Sequence, residues 1–127
     1  EEGMGRFAHE LKQTCEIFFN STSLSLVILD ELAEGTTFEE KMTLSEYVLK
    51  GFHQLGASTL LVTHNHELCE RLLSEGIGSY LQVEFLQGEP THRLIPGISR
   101  VSHADRVASA IGFSKADVEK HLESLKS

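Results

Sequence analysis

The apolar positions change period several times along the chain, and each change marks an element. Over residues 6–20, Phe7, Leu11, Cys15 and Phe18 recur at four, four and three residues, the period of one helical face. Asn20-Ser21-Thr22-Ser23 breaks that helix with small polar side chains. Residues 24–29 are nearly continuous in Leu, Val and Ile, which predicts a strand buried on both faces of a parallel sheet. Gly35-Thr36-Thr37 predicts a turn. Leu44, Val48, Phe52 and Leu55 then restore the helical period over residues 39–55, and Gly56 closes that helix. Residues 59–63 predict a second buried strand, and residues 67–75 a helix stopped by Gly76.

Helix, strand, helix, strand, helix is the order of an α/β sheet with crossover helices. The remainder changes character. Residues 80–86 alternate in part, Gln87-Gly88-Glu89 is turn-like, and residues 91–95 return as a hairpin partner ended by Pro96-Gly97. Ala104, Val107, Ala108 and Ile111 mark a helix closed by Gly112. Ser114 with Asp117 resembles a capping box opening a last helix that carries Val118, Leu122 and Leu125.

Composition narrows the function. A net charge of −8 argues against this segment gripping a phosphate backbone, which rewards a clustered basic face. No apolar run approaches the ~18 residues needed to cross a bilayer, so a cytoplasmic setting without membrane contact is expected. Cys15 and Cys69 are too few for a disulfide framework and read as reduced, mostly structural thiols. The Gly-rich opening Glu1-Glu2-Gly3-Met4-Gly5 reads as a segment of a longer polypeptide.

Chemistry concentrates where strands end. Leu26-Val27-Ile28-Leu29-Asp30-Glu31 places two carboxylates at the C-terminal edge of a strand, where open α/β sheets bind ligands. In a nucleotide-hydrolysing site the first such acid holds magnesium through water and the second orients or deprotonates the attacking water. The plain alternative is a strand ending in a solvated acidic turn. Thr63-His64 ends the next strand, where a histidine can reach a terminal phosphate, and Gly35-Thr36 follows Asp30 as a loop that permits close backbone approach.

These residues resemble the MutS family of ATPases. Ser25-Leu26-Val27-Ile28-Leu29-Asp30-Glu31-Leu32 looks like its Walker B strand, Gly35-Thr36 like the loop after it, and Thr63-His64-Asn65-His66-Glu67-Leu68 like its Thr-His-Tyr-His-Glu-Leu switch motif. Gly5-Arg6-Phe7-Ala8-His9-Glu10-Leu11 resembles the signature segment Ser-Thr-Phe-x-x-Glu-Met, and Leu94-Ile95-Pro96-Gly97-Ile98-Ser99 to Ser102-His103-Ala104 the approach to the family's terminal helices. The ordered set spans nearly all of the chain.

The resemblance implies a three-layer P-loop NTPase fragment with a mostly parallel sheet, residues 1–101 forming the C-terminal half of the ATPase domain. Residues 102–127 would be a terminal helical segment and candidate dimerisation element. It implies ATP and Mg2+ as ligands, Asp30 on the magnesium, Glu31 and His64 as catalytic groups, and Gly5, Arg6, Gly35 and Thr36 in nucleotide binding. It further implies a homodimer, with DNA bound by other domains and ATP turnover switching a DNA-bound clamp.

Departures qualify this. Gly5 stands in place of the signature serine, and Ala33-Glu34-Gly35-Thr36-Thr37-Phe38 replaces the Gly-Arg-Gly-Thr-Ser-Thr of mismatch-repair members. That loop and Pro90-Thr91-His92-Arg93-Leu94 look more like the divergent branch not dedicated to mismatch recognition. No Gly-x-x-x-x-Gly-Lys-Ser/Thr occurs in the chain, so the isolated chain is expected to bind ATP weakly or not at all. Three rivals stand beside this reading: a zinc site from His64, His66, Glu67 and Cys69; a binding module without ATPase activity; and a fragment of another ABC-type DNA-maintenance ATPase.

Overall fold

Side chains that cap backbone groups set the limits of the first elements. The computed structural model describes residues 5–99, 101 and 103–126; the opening at residues 1–4 and Ser102, the expected start of the terminal segment, lie outside them. Helix α1 spans Gly5–Phe19. Asn20 and Ser21 close it by donating to the carbonyls of Glu16 and Ile17 at 2.8 and 2.6 Å. Strand β1 is Leu26–Asp30. It starts two residues later than the apolar run suggests, because Ser25 Oγ accepts from Thr22 N–H and Thr22 Oγ1 from Leu24 N–H, at 2.8 and 3.1 Å. That turn holds Leu24 out of the ladder.

Helix α2 (Phe38–Leu55) opens on Thr37, whose hydroxyl accepts from Glu40 N–H at 3.3 Å. Gly56 ends it at φ 86°, with Gly56 N–H on His53 O and Ala57 N–H on Phe52 O, the paired bonds of a Schellman closure. Strand β2 is Ser58–Val62, and helix α3 (His66–Ser74) is capped by Asn65. Arg71 of α3 meets Glu46 of α2 at 2.7 Å, and Lys50 meets Glu75 at 2.9 Å, tying the two helices at their surface.

β1 and β2 pair in parallel, with Leu26 opposite Ser58 and Asp30 opposite Val62. Alternation along β1 turns Val27 and Leu29 inward onto Phe52, which is fully buried, with Phe18, Val48, Leu49 and Leu61 around them. Gly51 lets the Phe18 ring in: a Cβ there would stand 3.1 Å from it. α1 and α2 thus cover one face of the pair.

The other face is open. Leu26, Ile28, Leu60 and Val62 are 69, 64, 55 and 58% exposed. The expectation of strands buried on both faces therefore holds for one face only. The apolar runs supply side chains to both sides, but the described residues provide helices for one. What is observed among the described residues is an α/β fold with one parallel strand pair and one antiparallel pair, the expected hairpin.

A second compact unit begins at Tyr80. Strands β3 (Leu81–Leu86) and β4 (Glu89–Pro96) form the expected hairpin. Its two linking residues, Gln87 and Gly88, lie at φ 54° and 82°, left-handed as a type I′ turn requires. Val83 pairs with Leu94 and Phe85 with Pro90, so residues 91–93 bulge opposite Glu84. His92 at φ 65° and a 2.7 Å bond from Thr91 Oγ1 to Glu84 Oε1 hold that bulge. Helix α4 is His103–Ala110, and α5 (Lys115–Ser124) opens with the expected capping box between Ser114 and Asp117. Arg106 lies over the Phe85 ring, 4.0 Å from its centroid. No helix among the described residues is long and apolar enough to cross a membrane.

Removing the Phe52 ring would leave a cavity between α2 and β1. Phe52→Ala is expected to destabilise the first unit by about 3–5 kcal/mol, and Phe52→Leu by much less. Urea unfolding of both variants checks this; equal midpoints would contradict the assigned core.

Candidate functional site

Two acids lie where β1 runs out. Asp30 closes the exposed row Leu26, Ile28, Asp30, so it stands at the end of the open sheet face. Glu31 would continue the buried row of Val27 and Leu29. Instead its backbone turns to φ 65°, a left-handed conformation costing a residue with a side chain about 1–2 kcal/mol. Its N–H still donates to Val62 O at 2.8 Å, extending the ladder by one bond.

The Glu31 carboxylate then bridges to the end of β2. Oε1 accepts from Thr63 Oγ1 at 2.7 Å, and Oε2 accepts from His64 N–H at 2.9 Å. Thr63 Oγ1 in turn accepts from Asn65 N–H at 3.0 Å. Asn65 is buried: its Oδ1 caps α3 through Leu68 N–H at 3.1 Å, and its Nδ2 donates to Met42 Sδ of α2 at 3.3 Å. One chain of contacts therefore links β1, β2, α3 and α2.

The loop after β1 winds tightly, with Glu31, Ala33 and Gly35 at φ 65°, 60° and 86°, and Leu32 and Ala33 buried beneath it. Gly35 lies against the first turn of α1, where a Cβ would stand 3.5 Å from the Phe7 nitrogen and Cβ. The structure thus joins two segments that the sequence singles out separately, Gly5-Arg6-Phe7 and Gly35-Thr36. Gly5 and Arg6 are exposed, Arg6 Nε lying 3.6 Å from Glu10 Oε1. Thr36 donates its hydroxyl proton to the Glu40 carboxylate, and Lys41 pairs with Glu34. Hydrogen bonding by Thr36, then Thr37, holds the Glu40 carboxyl below the usual glutamate range.

Among the described residues no three His, Cys, Asp or Glu side chains converge on a possible metal position, so the zinc arrangement of His64, His66, Glu67 and Cys69 does not form. Cys69 is half-buried, and burial pushes its thiol up, which disfavours the thiolate a zinc ion needs. Cys15, expected on the apolar stripe of α1, is exposed. The single carboxylate of Asp30 suits magnesium, which takes one or two carboxylates and keeps several waters and phosphate oxygens.

Asp30, Glu31 and His64 stand together at the strand ends, while Gly35 and the Arg6-Phe7 turn form a neighbouring cluster. Thr63 and Asn65 are the partners that residue-type reasoning missed. Continuing the parallel register one step past Asp30 and Val62 pairs Glu31 with Thr63, which is the signal that finds them.

The chain matches the family description MutS domain V over residues 1–126. It belongs to the MutS family. Among its relatives, Endonuclease MutS2 of Ruminiclostridium cellulolyticum is 32% identical over 98% of this chain and 16% of the relative. DNA mismatch repair protein MutS of Anaplasma phagocytophilum is 36% identical over 93% of this chain and 15% of the relative. DNA mismatch repair protein MSH3 of Yarrowia lipolytica is 33% identical, over 95% and 13%. The chain thus spans 13–16% of the length of these MutS-family relatives.

Because the Glu40 pKa is depressed, its ionised hydrogen bonds favour the fold at neutral pH. That contribution is lost as pH falls from the usual glutamate value through the depressed one. Thr36→Val removes the larger cause and is expected to move the Glu40 titration midpoint upward, as read by NMR of its carboxyl carbon. An unmoved midpoint would contradict the Thr36 assignment.

Proposed function

We propose that this MutS-family segment is the water-activating side of an ATPase whose turnover switches a DNA-bound dimer in mismatch repair or a related DNA transaction. The observation that carries this is the pair of acids at the C-terminal edge of the parallel strands, with the Glu31 carboxylate fixed by Thr63 and His64 N–H. Such an edge is where α/β sheets bind nucleotides. Asp30 would help hold Mg2+ through water, and the ion would neutralise charge on the phosphates. Glu31 would polarise the attacking water, and His64 would sense the γ-phosphate.

The contact of Gly35 with Phe7 supports a shared role for the loop and the first turn of α1 at the dimer interface. There Gly5 and Arg6 would complete the partner's nucleotide site, and Thr36 would carry nucleotide state across. Gly5 has no hydroxyl to offer where the signature has serine, so the phosphate contact at that point would come from backbone. The main phosphate anchor would be a Gly-rich loop elsewhere in the protein. DNA would be held by other domains, since this segment carries a net charge of −8. Exposed Ile111, Phe113, Leu122 and Leu125 on and beside the terminal helices support a helical dimer contact there.

A general base contributes about 10²–10⁴-fold to rate. Glu31→Gln in the whole protein is therefore expected to retain ATP while turnover falls within that range. The check is radiolabelled ATP retention alongside steady-state hydrolysis; near-normal turnover would refute the assignment of Glu31.

A further inference from the structure

The roles assigned to Asp30, Glu31 and His64 leave one bond at the strand ends without a task, the 2.7 Å bond from Thr63 to Glu31. A hydroxyl has a single proton. Thr63 Oγ1 already accepts from Asn65 N–H at 3.0 Å, so its proton is directed at the carboxylate, which only accepts. His64 N–H supplies a second bond, to the other oxygen. Two donors on two different oxygens fix the plane of the carboxylate, where one alone would leave it free to rotate about its last torsion. Each oxygen retains a further lone pair for water.

The two donors are not equivalent. The His64 donor is backbone and survives substitution of that residue by any amino acid but proline. The Thr63 donor is a side chain, and its acceptor contact with Asn65 couples it to the cap of α3. The Glu31 carboxylate therefore keeps its orientation only while β2, the α3 cap and the Thr63 hydroxyl are all in place.

We propose that Thr63 is a positioning residue for ATP hydrolysis, its hydroxyl aiming the Glu31 carboxylate at the attacking water. The proposal rests on the reading of Glu31 given above. Thr63 is not required to touch nucleotide; it acts through Glu31. Thr63→Val keeps the shape of the side chain but removes both the donor to Glu31 and the acceptor for Asn65 N–H, while Thr63→Ser keeps both and removes a methyl.

The test is steady-state ATP hydrolysis by the full-length protein, with ATP affinity and the thermal midpoint measured on each variant. T63V is expected to lower kcat about 10- to 100-fold, the size of effect that misplacing a reacting group produces, with ATP affinity close to the parent. Its midpoint also falls because Asn65 N–H loses its acceptor, whereas that of T63S does not. T63S is expected to keep the parent rate. Added to E31Q, T63V is expected to lower the rate no further, because residues acting as one unit are not additive. A T63V rate equal to the parent, a T63S rate as low as T63V, or an additive loss in the double variant overturns the proposal. If T63V unfolds, T63S decides alone, a rate as low as that of E31Q overturning it and the parent rate supporting it. Normal turnover in E31Q defeats the reading of Glu31 itself, whereas a parent-like T63V beside an inactive E31Q defeats only the role of Thr63.

Discussion

The parallel pairing of Leu26–Asp30 with Ser58–Val62 is the constraint on which the site depends. It brings two strand ends level, so that Glu31 and the Thr63-His64 backbone meet across the sheet edge. A carboxylate at a lone strand end would be solvated and free to turn. Here the register gives it one hydroxyl and one backbone N–H, and the left-handed backbone of Glu31 turns it out of the buried row to meet them. The register in turn depends on Phe52, Val27 and Leu29, which seat α2 against the pair.

The same sheet leaves its other face uncovered. Leu26, Ile28, Leu60 and Val62 form a contiguous apolar surface ending at Asp30, of the kind that soluble domains bury against another layer. The chain spans 13–16% of the length of the MutS-family relatives it matches. The acid pair sits at the rim of that open face, so whatever layer covers it would also border the site.

Much of this was legible in the sequence. Helical periods at Phe7 to Phe18 and Leu44 to Leu55 found α1 and α2, Gly56 and Gly112 marked helix ends, and Ser114 with Asp117 announced the cap of α5. Two acids after an aliphatic run pointed to the candidate site, and the structure shows one of them, Glu31, held by the end of β2. Other features needed three dimensions. An apolar run carries no record of what lies across each face, so one-sided burial of β1 was hidden. The start of β1 was moved by Thr22 and Ser25 hydroxyls, which compete with the ladder. Left-handed Glu31 and His92 defy residue preference and arise from their surroundings. Thr63 was legible only as the residue before His64 in the strand-end run, and its contact with Glu31 appears only once the register is known.

Under the proposed function, this sheet edge faces the terminal phosphate of a bound nucleotide. A crystal structure of the full-length protein with Mg2+ and a non-hydrolysable ATP analogue tests it most directly. The γ-phosphate is expected at the ends of β1 and β2, with a water between it and the Glu31 carboxylate and Asp30 bonded to water on the magnesium. A nucleotide bound elsewhere, with Glu31 still held by Thr63 and no phosphate in reach, would contradict it.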